Sequence, residues 1–356
     1  MNRITKTVII FICWIPLGII FLILYFVLVL TNNLKYAKDF KDGEKMPFKN
    51  ITTLICATHF RPQWQGSTAC TEYDHELIYK PRCGSAPFQG PEFNTTITFT
   101  DKGIRKQSEA SYKYKQRILF LGDSHSMGWG VNDDQTFSSI LARQYGWNTS
   151  NAGCSSYETV REILYSIKIN ALKTSDVIIF VYCNNDAPAN HAVIKTGNLR
   201  KVPTNADDWW KGPGSYRQQE VGLIGVLSAL KSLYSSEKNI VQFFLKLKKT
   251  KYVFGGTDDV GISAHESAED FLLILKSFPE LEGKIIYFCE INGNNAKPIT
   301  LKSLSEQKTI DPISSLVYLS LKESDFFILD HHLNSVGHKS VADQINDFLI
   351  SKKLHE

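Results

Sequence analysis

Arg117-Ile-Leu-Phe-Leu-Gly-Asp-Ser124-His-Ser-Met-Gly-Trp-Gly-Val131 is the stretch on which the fold turns. Its apolar run, Ile118 to Leu121, is short, bounded by turn residues and apolar at every position, as expected of a strand buried on both faces. Similar runs follow at Trp147 to Asn151, Val177 to Tyr182, Lys284 to Phe288 and Phe326 to Leu329. Helical patterns separate them, which predicts a parallel sheet covered on both sides, an α/β three-layer sandwich. In such sheets ligands gather at the carboxyl ends of the strands. Ser124 stands at one such end and is a candidate nucleophile, although a strand followed by Gly-Asp-Ser is, taken alone, more often only a turn with a helix cap.

Outward from that stretch, three-and-four spacing places helices over Thr136 to Tyr145, Tyr157 to Leu172, Ser263 to Leu281 and Ser335 to Leu354. A long insertion, about 190–261, interrupts the alternation with a helical region around Val221 to Leu247. Residues 31–115 have little sustained periodicity and several aromatic side chains, and read as an irregular lead-in or lid before a catalytic domain over 116–356.

A serine hydroxyl needs a base. Asp330-His331-His332-Leu333-Asn334-Ser335-Val336-Gly337-His338 follows the last expected strand and puts an acid and histidines at the edge where Ser124 stands. A histidine takes the serine proton, and a carboxylate fixes its tautomer and stabilises the imidazolium. Asn151-Ala152-Gly153 and Cys183-Asn184-Asn185-Asp186 follow two further strands, so a glycine amide and an asparagine side chain become candidate oxyanion donors. Each segment also has a plain reading as a turn or a cap; four of them at successive strand ends favour the catalytic one.

Those four segments together resemble the blocks of the SGNH, or GDSL-type, hydrolases: Gly122-Asp123-Ser124, Gly153, Asn185-Asp186 and Asp330-x-His332. The resemblance covers about residues 94–348 apart from the insertion. Thr96 to Arg105, Gly128-Trp-Gly-Val131 and Asn151-Ala-Gly-x-x-x-Tyr157-x-Thr159 are similar to a bacterial subgroup, several of whose members are membrane-anchored and act on cell-surface glycans. Residue by residue it implies Ser124 as nucleophile, His332 as base, Asp330 as its orienting acid, and the Ser124 amide, Gly153 amide and Asn185 side chain as the oxyanion hole. Alignment on Asn334 and Gly337-His338 selects His332 over His331. Two departures stand out: one residue instead of two separates Asp330 from His332, and Cys183 replaces the glycine usual two residues before the asparagine. His125 is expected either to touch substrate or simply to start a helix.

The 356 residues carry 40 basic and 36 acidic side chains, a formal net charge of +4, with 43% hydrophobic and 21% charged residues. This is globular composition, without the clustered basic face of a nucleic-acid binder, so no nucleic-acid partner is expected. From Val8 to Leu30 no residue is charged. A helix of that length rises roughly 34 Å, enough for a hydrocarbon core of about 30 Å. The run reaches Thr31 without the small-residue end of a cleavable signal, so a single uncleaved span over 8–30, after a short tail at 1–7, is expected. Lysines 35, 38, 41, 45 and 49 beyond the span slightly oppose an N-in arrangement, but long domains translocate largely regardless of charge, and a periplasmic or extracellular catalytic domain is the expectation.

Among the seven cysteines, Cys56, Cys70 and Cys83 fall in the lead-in. Either a Cys70 to Cys83 bridge or three unpaired thiols fits. No C-x-x-C pair or histidine partner set supports a metal, and no Walker A loop or Gly-x-Gly-x-x-Gly follows a strand, so neither metal nor cofactor is expected. The sequence therefore reads as a membrane-anchored serine esterase or O-acyltransferase acting on acyl, most simply acetyl, esters of a cell-envelope carbohydrate. The alternatives are a lipid or thioester hydrolase of the same fold, or a non-catalytic anchored carbohydrate-binding protein.

Overall fold

The computed structural model describes residues 3–40, 45–108, 110–202, 220–236, 262–292 and 297–354. They divide between two compact units: Met1–Arg61 with Gln218–Tyr252 and Ile328–Asp330, and Pro62–Arg217 with Val253–Phe327 and His331–Glu356.

The larger unit is built on a parallel five-stranded sheet. Two antiparallel pairs precede it, β1 (Thr71–Asp74) with β2 (Ile78–Pro81) and β3 (Gly84–Gly90) with β4 (Phe93–Phe99). The sheet strands are β5 (Arg117–Gly122), β6 (Asn148–Asn151), β7 (Val177–Tyr182), β8 (Ile285–Glu290) and β9 (Ser315–Val317), in the order β6-β5-β7-β8-β9. Alternate residues of each strand feed opposite cores. Leu119, Leu121, Ile178 and Phe180 meet Val160 and Ile163 of helix Thr159–Lys168 and Phe271 and Ile274 of helix Ala264–Lys276. Ile118, Phe120, Ile179 and Val181 meet Phe137 and Ile140 of helix Phe137–Ile140 and Val341 and Ile345 of helix Ser335–Ser351. Side chains on both faces need helices on both faces, which gives the three layers. Because β6 and β7 flank β5 on opposite sides, the chain reverses its winding beside β5, and the crevice so opened lies at the carboxyl ends of β5 and β7.

The first four expected strands occur within a residue or two of their predicted bounds. The fifth does not. Phe326 to Leu329 forms no sheet strand: the Phe327 amide donates to the His332 carbonyl at 2.8 Å and the Asn334 amide to the Asp325 carbonyl at 3.0 Å, so backbone groups there are satisfied locally. The place beside β8 goes to Ser315–Val317. The lead-in also differs from expectation. Residues 62–115 fall in the sheet's unit and carry the two β-pairs, and Phe93, Thr95, Ile97 and Phe99 turn one face of β4 inward. Cys70 and Cys83 are free thiols, so the Cys70 to Cys83 bridge is not formed. Cys70 instead packs with Trp64, Phe88 and Phe99.

The smaller unit holds one long apolar helix, Arg3–Lys35, whose Pro16–Lys35 portion, of mean hydropathy 2.3, is long and apolar enough to cross a membrane. Leu17 to Leu28 expose most of their apolar side chains, whereas Val27, Leu30 and Leu34 are buried with Ile51, Ile55 and Phe60 and with Val226 and Ala229 of helix Leu223–Ser236. Of the expected insertion helix around Val221 to Leu247, the part beyond Ser236 lies outside the described residues, as does 203–219.

Candidate active site

β5 ends at Gly122, and a single helical turn, Ser124–Met127, begins directly after Asp123. Asp123 caps that turn, its Oδ1 accepting from the His125 amide at 2.9 Å. Ser124 is thereby held at the strand's carboxyl end, 5% exposed. Its Oγ lies 2.8 Å from His332 Nε2 and 3.2 Å from Asp123 Oδ2. One hydroxyl proton cannot serve both acceptors, and the shorter contact is to the imidazole, as a nucleophile and its base require.

Asp123 is a hub that sequence reasoning missed. Besides capping the turn, its Oδ2 accepts from Asn185 Nδ2 at 3.1 Å, tying the loop after β7 to the turn that carries Ser124. Asn184 is fixed from a third strand end: its amide donates to Asn292 Oδ1 at 2.9 Å, and Asn292 Nδ2 donates to Glu290 Oε1 at 2.7 Å. Gly153 approaches from β6 so closely that a Cβ there would fall 2.5 Å from the Met127 amide nitrogen, which explains the glycine. Its own amide donates to Asn151 Oδ1 at 2.9 Å. The Gly153 amide, an expected oxyanion donor with a single hydrogen, is thus already engaged in this arrangement, whereas Asn185 Nδ2 has a second hydrogen besides the one it gives to Asp123.

Around the pair the surroundings favour neutral groups. Burial, reinforced by the negative charge of Asp123, pushes the Asp186 and Glu162 carboxyls well above the usual carboxylate range. His338 is fully enclosed; burial first, then the charges of His125, Arg105 and His332, hold its pKa down at about 3. Its Nδ1 accepts from the Phe137 amide at 3.3 Å, pinning helix Ser335–Ser351 to helix Phe137–Ile140.

The other expected site residues are placed as follows. The His125 ring lies beside His332, centroids 4.9 Å apart. His331 is buried and has left-handed backbone, φ 60°, which turns the chain between Asp330 and His332. Asp330 belongs to the smaller unit, where Arg61 Nε lies 3.1 Å from its Oδ1. Arg61 was missed because nothing near it in sequence signals a carboxylate partner. Arg105 was quoted only as part of a similar segment. It is wholly buried, donating to the Val131 carbonyl at 2.8 Å and pairing with Asp133 at 2.9 Å, so it anchors the loop after the Ser124 turn. Among the described residues no group of three or more His, Cys, Asp or Glu is arranged to hold a metal ion.

The chain is similar to solved structures of the GDSL lipolytic type. The lipase/acylhydrolase from Enterococcus faecalis superposes with a TM-score of 0.36 at 9% identity, over 67% of this chain and 97% of that one. A G-D-S-L family structure from Desulfitobacterium hafniense DCB-2 gives 0.33 at 10% identity, over 65% and 99%. A GDSL-like lipase structure from Parabacteroides merdae ATCC 43184 gives 0.33 at 14%, over 70% and 100%. No family model and no curated protein matches the chain.

Proposed function

We propose that this chain is a membrane-anchored serine esterase or O-acyltransferase that forms an acyl-enzyme at Ser124 and acts on acyl, most simply acetyl, esters of a cell-envelope carbohydrate. One observation carries the catalytic part: the 2.8 Å approach of His332 Nε2 to Ser124 Oγ at the carboxyl end of β5. Ser124 Oγ attacks the ester carbonyl while His332 Nε2 takes its proton; the tetrahedral oxyanion collapses, and the alcohol leaves with the proton returned by His332. Water, or a sugar hydroxyl in the transfer reaction, then attacks the acyl-serine with His332 as base again, so hydrolysis and transfer differ only in the acceptor. Asp330 is assigned the orienting carboxylate on the family resemblance, and Asn185, Gly153 and the Ser124 amide the oxyanion donors.

The anchor is supported by the burial of Val27, Leu30 and Leu34 in the smaller unit's core. Each such side chain stabilises by about 1.5–3 kcal/mol, so removal of the helix as a signal would strip that core. The carbohydrate ester and a periplasmic or extracellular site rest on resemblance to the anchored subgroup. The direct experiment is hydrolysis of a small aryl acetate by the purified chain and by Ser124→Ala, followed by acetyl release from envelope glycans. Aryl ester turnover unchanged in Ser124→Ala would refute the reading, and turnover confined to long acyl chains would replace the glycan substrate with a lipid.

A further inference from the structure

We propose that Trp129 is a positioning residue for the base: its indole holds the His332 ring in the orientation that aims Nε2 at Ser124, and it stabilises the imidazolium formed when the serine proton is taken. This rests on the reading of Ser124 and His332 as nucleophile and base. The two rings are stacked, centroids 4.8 Å apart and planes within 15°. Imidazolium held over an indole face inside about 6 Å is attracted by the ring quadrupole, and in a desolvated site the effect reaches about 30-fold in rate. Trp129 is suited to this task because it is itself immobilised. It is 3% exposed, meets Phe88 edge-to-face at 4.7 Å and Phe93 at 6.4 Å, and its amide donates to the Ser124 carbonyl at 3.0 Å. One short turn therefore carries the nucleophile and the support of its base, with β3 and β4 bracing the indole from behind.

The Gly-Trp-Gly spacing has the same explanation. Gly128 and Gly130 both have left-handed backbone, φ 86° and 73°. A Cβ on Gly128 would lie 2.6 Å from Thr136 Cγ2, and one on Gly130 would lie 2.8 Å from the rings of Phe327 and Phe93. Glycine on each side lets the backbone reverse tightly enough to present the indole to His332.

The test uses the full chain in detergent and reads two steps that need the base: covalent inactivation by a fluorophosphonate, and kcat and KM on an aryl acetate. Trp129→Leu should slow inactivation and kcat by about 10- to 100-fold with KM little changed, and Trp129→Phe, which keeps an aromatic face, should recover most of the loss. A folded Trp129→Leu protein reacting within about twofold of the parent would overturn the proposal, as would a Phe variant no better than Leu. Indole emission gives a reading independent of the Leu variant's folding. Replacing His332 by Gln should change emission in the parent but not in Trp129→Phe, and no difference between those backgrounds would show that the rings do not stack in solution. A parent protein that reacts with neither reagent at Ser124 would overturn the nucleophile reading and this role together, whereas normal labelling of Ser124 with an unaffected Trp129→Leu would remove only the latter.

Discussion

Between Ser124 and His332 a single proton has two acceptors in reach, His332 Nε2 at 2.8 Å and Asp123 Oδ2 at 3.2 Å. The shorter contact is to His332 Nε2, the proposed base, which would take that proton and return it to a leaving alcohol. His332→Ala should therefore abolish activity about as completely as Ser124→Ala, since such groups act as a unit. Asp330→Asn should cost less, on the order of 10²- to 10⁴-fold, because an orienting carboxylate does not itself move the proton. His331→Ala should cost activity far less than His332→Ala, with some loss of stability because alanine is less suited than histidine to the left-handed backbone found there, φ 60°. These variants, compared by kcat/KM on one soluble ester, check the assignment; an inactive His331→Ala with an active His332→Ala would shift the alignment by one residue. Ser124, His332 and Asn185 stand out in the sequence because each is a reactive type just after an expected strand or within a recognisable block, and the structure sets Ser124 Oγ 2.8 Å from His332 Nε2. The sequence hid Asp123 as a hub and Trp129 as a brace, since a capping aspartate and a core tryptophan look the same in sequence whatever their second contact is.

At the scale of elements, the site depends on strand ends approaching the nucleophile turn more closely than side chains permit. Gly153→Ala would drive a Cβ against the Met127 amide, backbone that cannot rotate aside. The turn bearing Ser124 must move, and a misplacement near 1 Å can cost about 10²-fold, so kcat/KM should fall by at least that factor and the thermal midpoint should drop with it. Full activity in that variant would mean that β6 does not support the turn in the way described. The same elements show why the sheet was mostly readable. β5, β7 and β8 are apolar on both faces, and buried parallel strands announce themselves in that way. β9 has only three residues, two of them half-buried, and leaves too little apolar signal. Phe326 to Leu329 imitates a strand because all four side chains are apolar and Phe326 and Leu329 are buried, while its backbone bonds close a local turn. The β3 and β4 pair lies in a segment with little sustained periodicity overall, and the alternation of Phe93, Thr95, Ile97 and Phe99 is confined to seven residues of it.

Across the whole molecule, stability should be tied to pH through His338. Its pKa is about 3 in the fold against about 6.5 in an unfolded chain, so between those values the unfolded state binds more protons. The stabilisation is fully present above about pH 6.5 and is lost as pH falls, amounting to about 4–5 kcal/mol by pH 3 for a group with no solvent screening. His338→Gln removes that titration, so the drop in thermal midpoint between pH 7 and pH 4.5 should be several degrees smaller in the variant than in the parent. Equal acid shifts in the two proteins would contradict an enclosed neutral imidazole. The N-terminal apolar helix, expected from sequence as an uncleaved span, is long and apolar enough to cross a membrane, and Val27, Leu30 and Leu34 near its end pack into the smaller unit's core.

The central claim is that Ser124 is a nucleophile activated by His332, and covalent labelling tests it most directly. The intact chain treated with a fluorophosphonate should gain one adduct, mapped to the peptide containing Ser124, absent from Ser124→Ala and formed far more slowly in His332→Ala. An adduct on any other residue, or equal labelling of Ser124→Ala, would contradict the account.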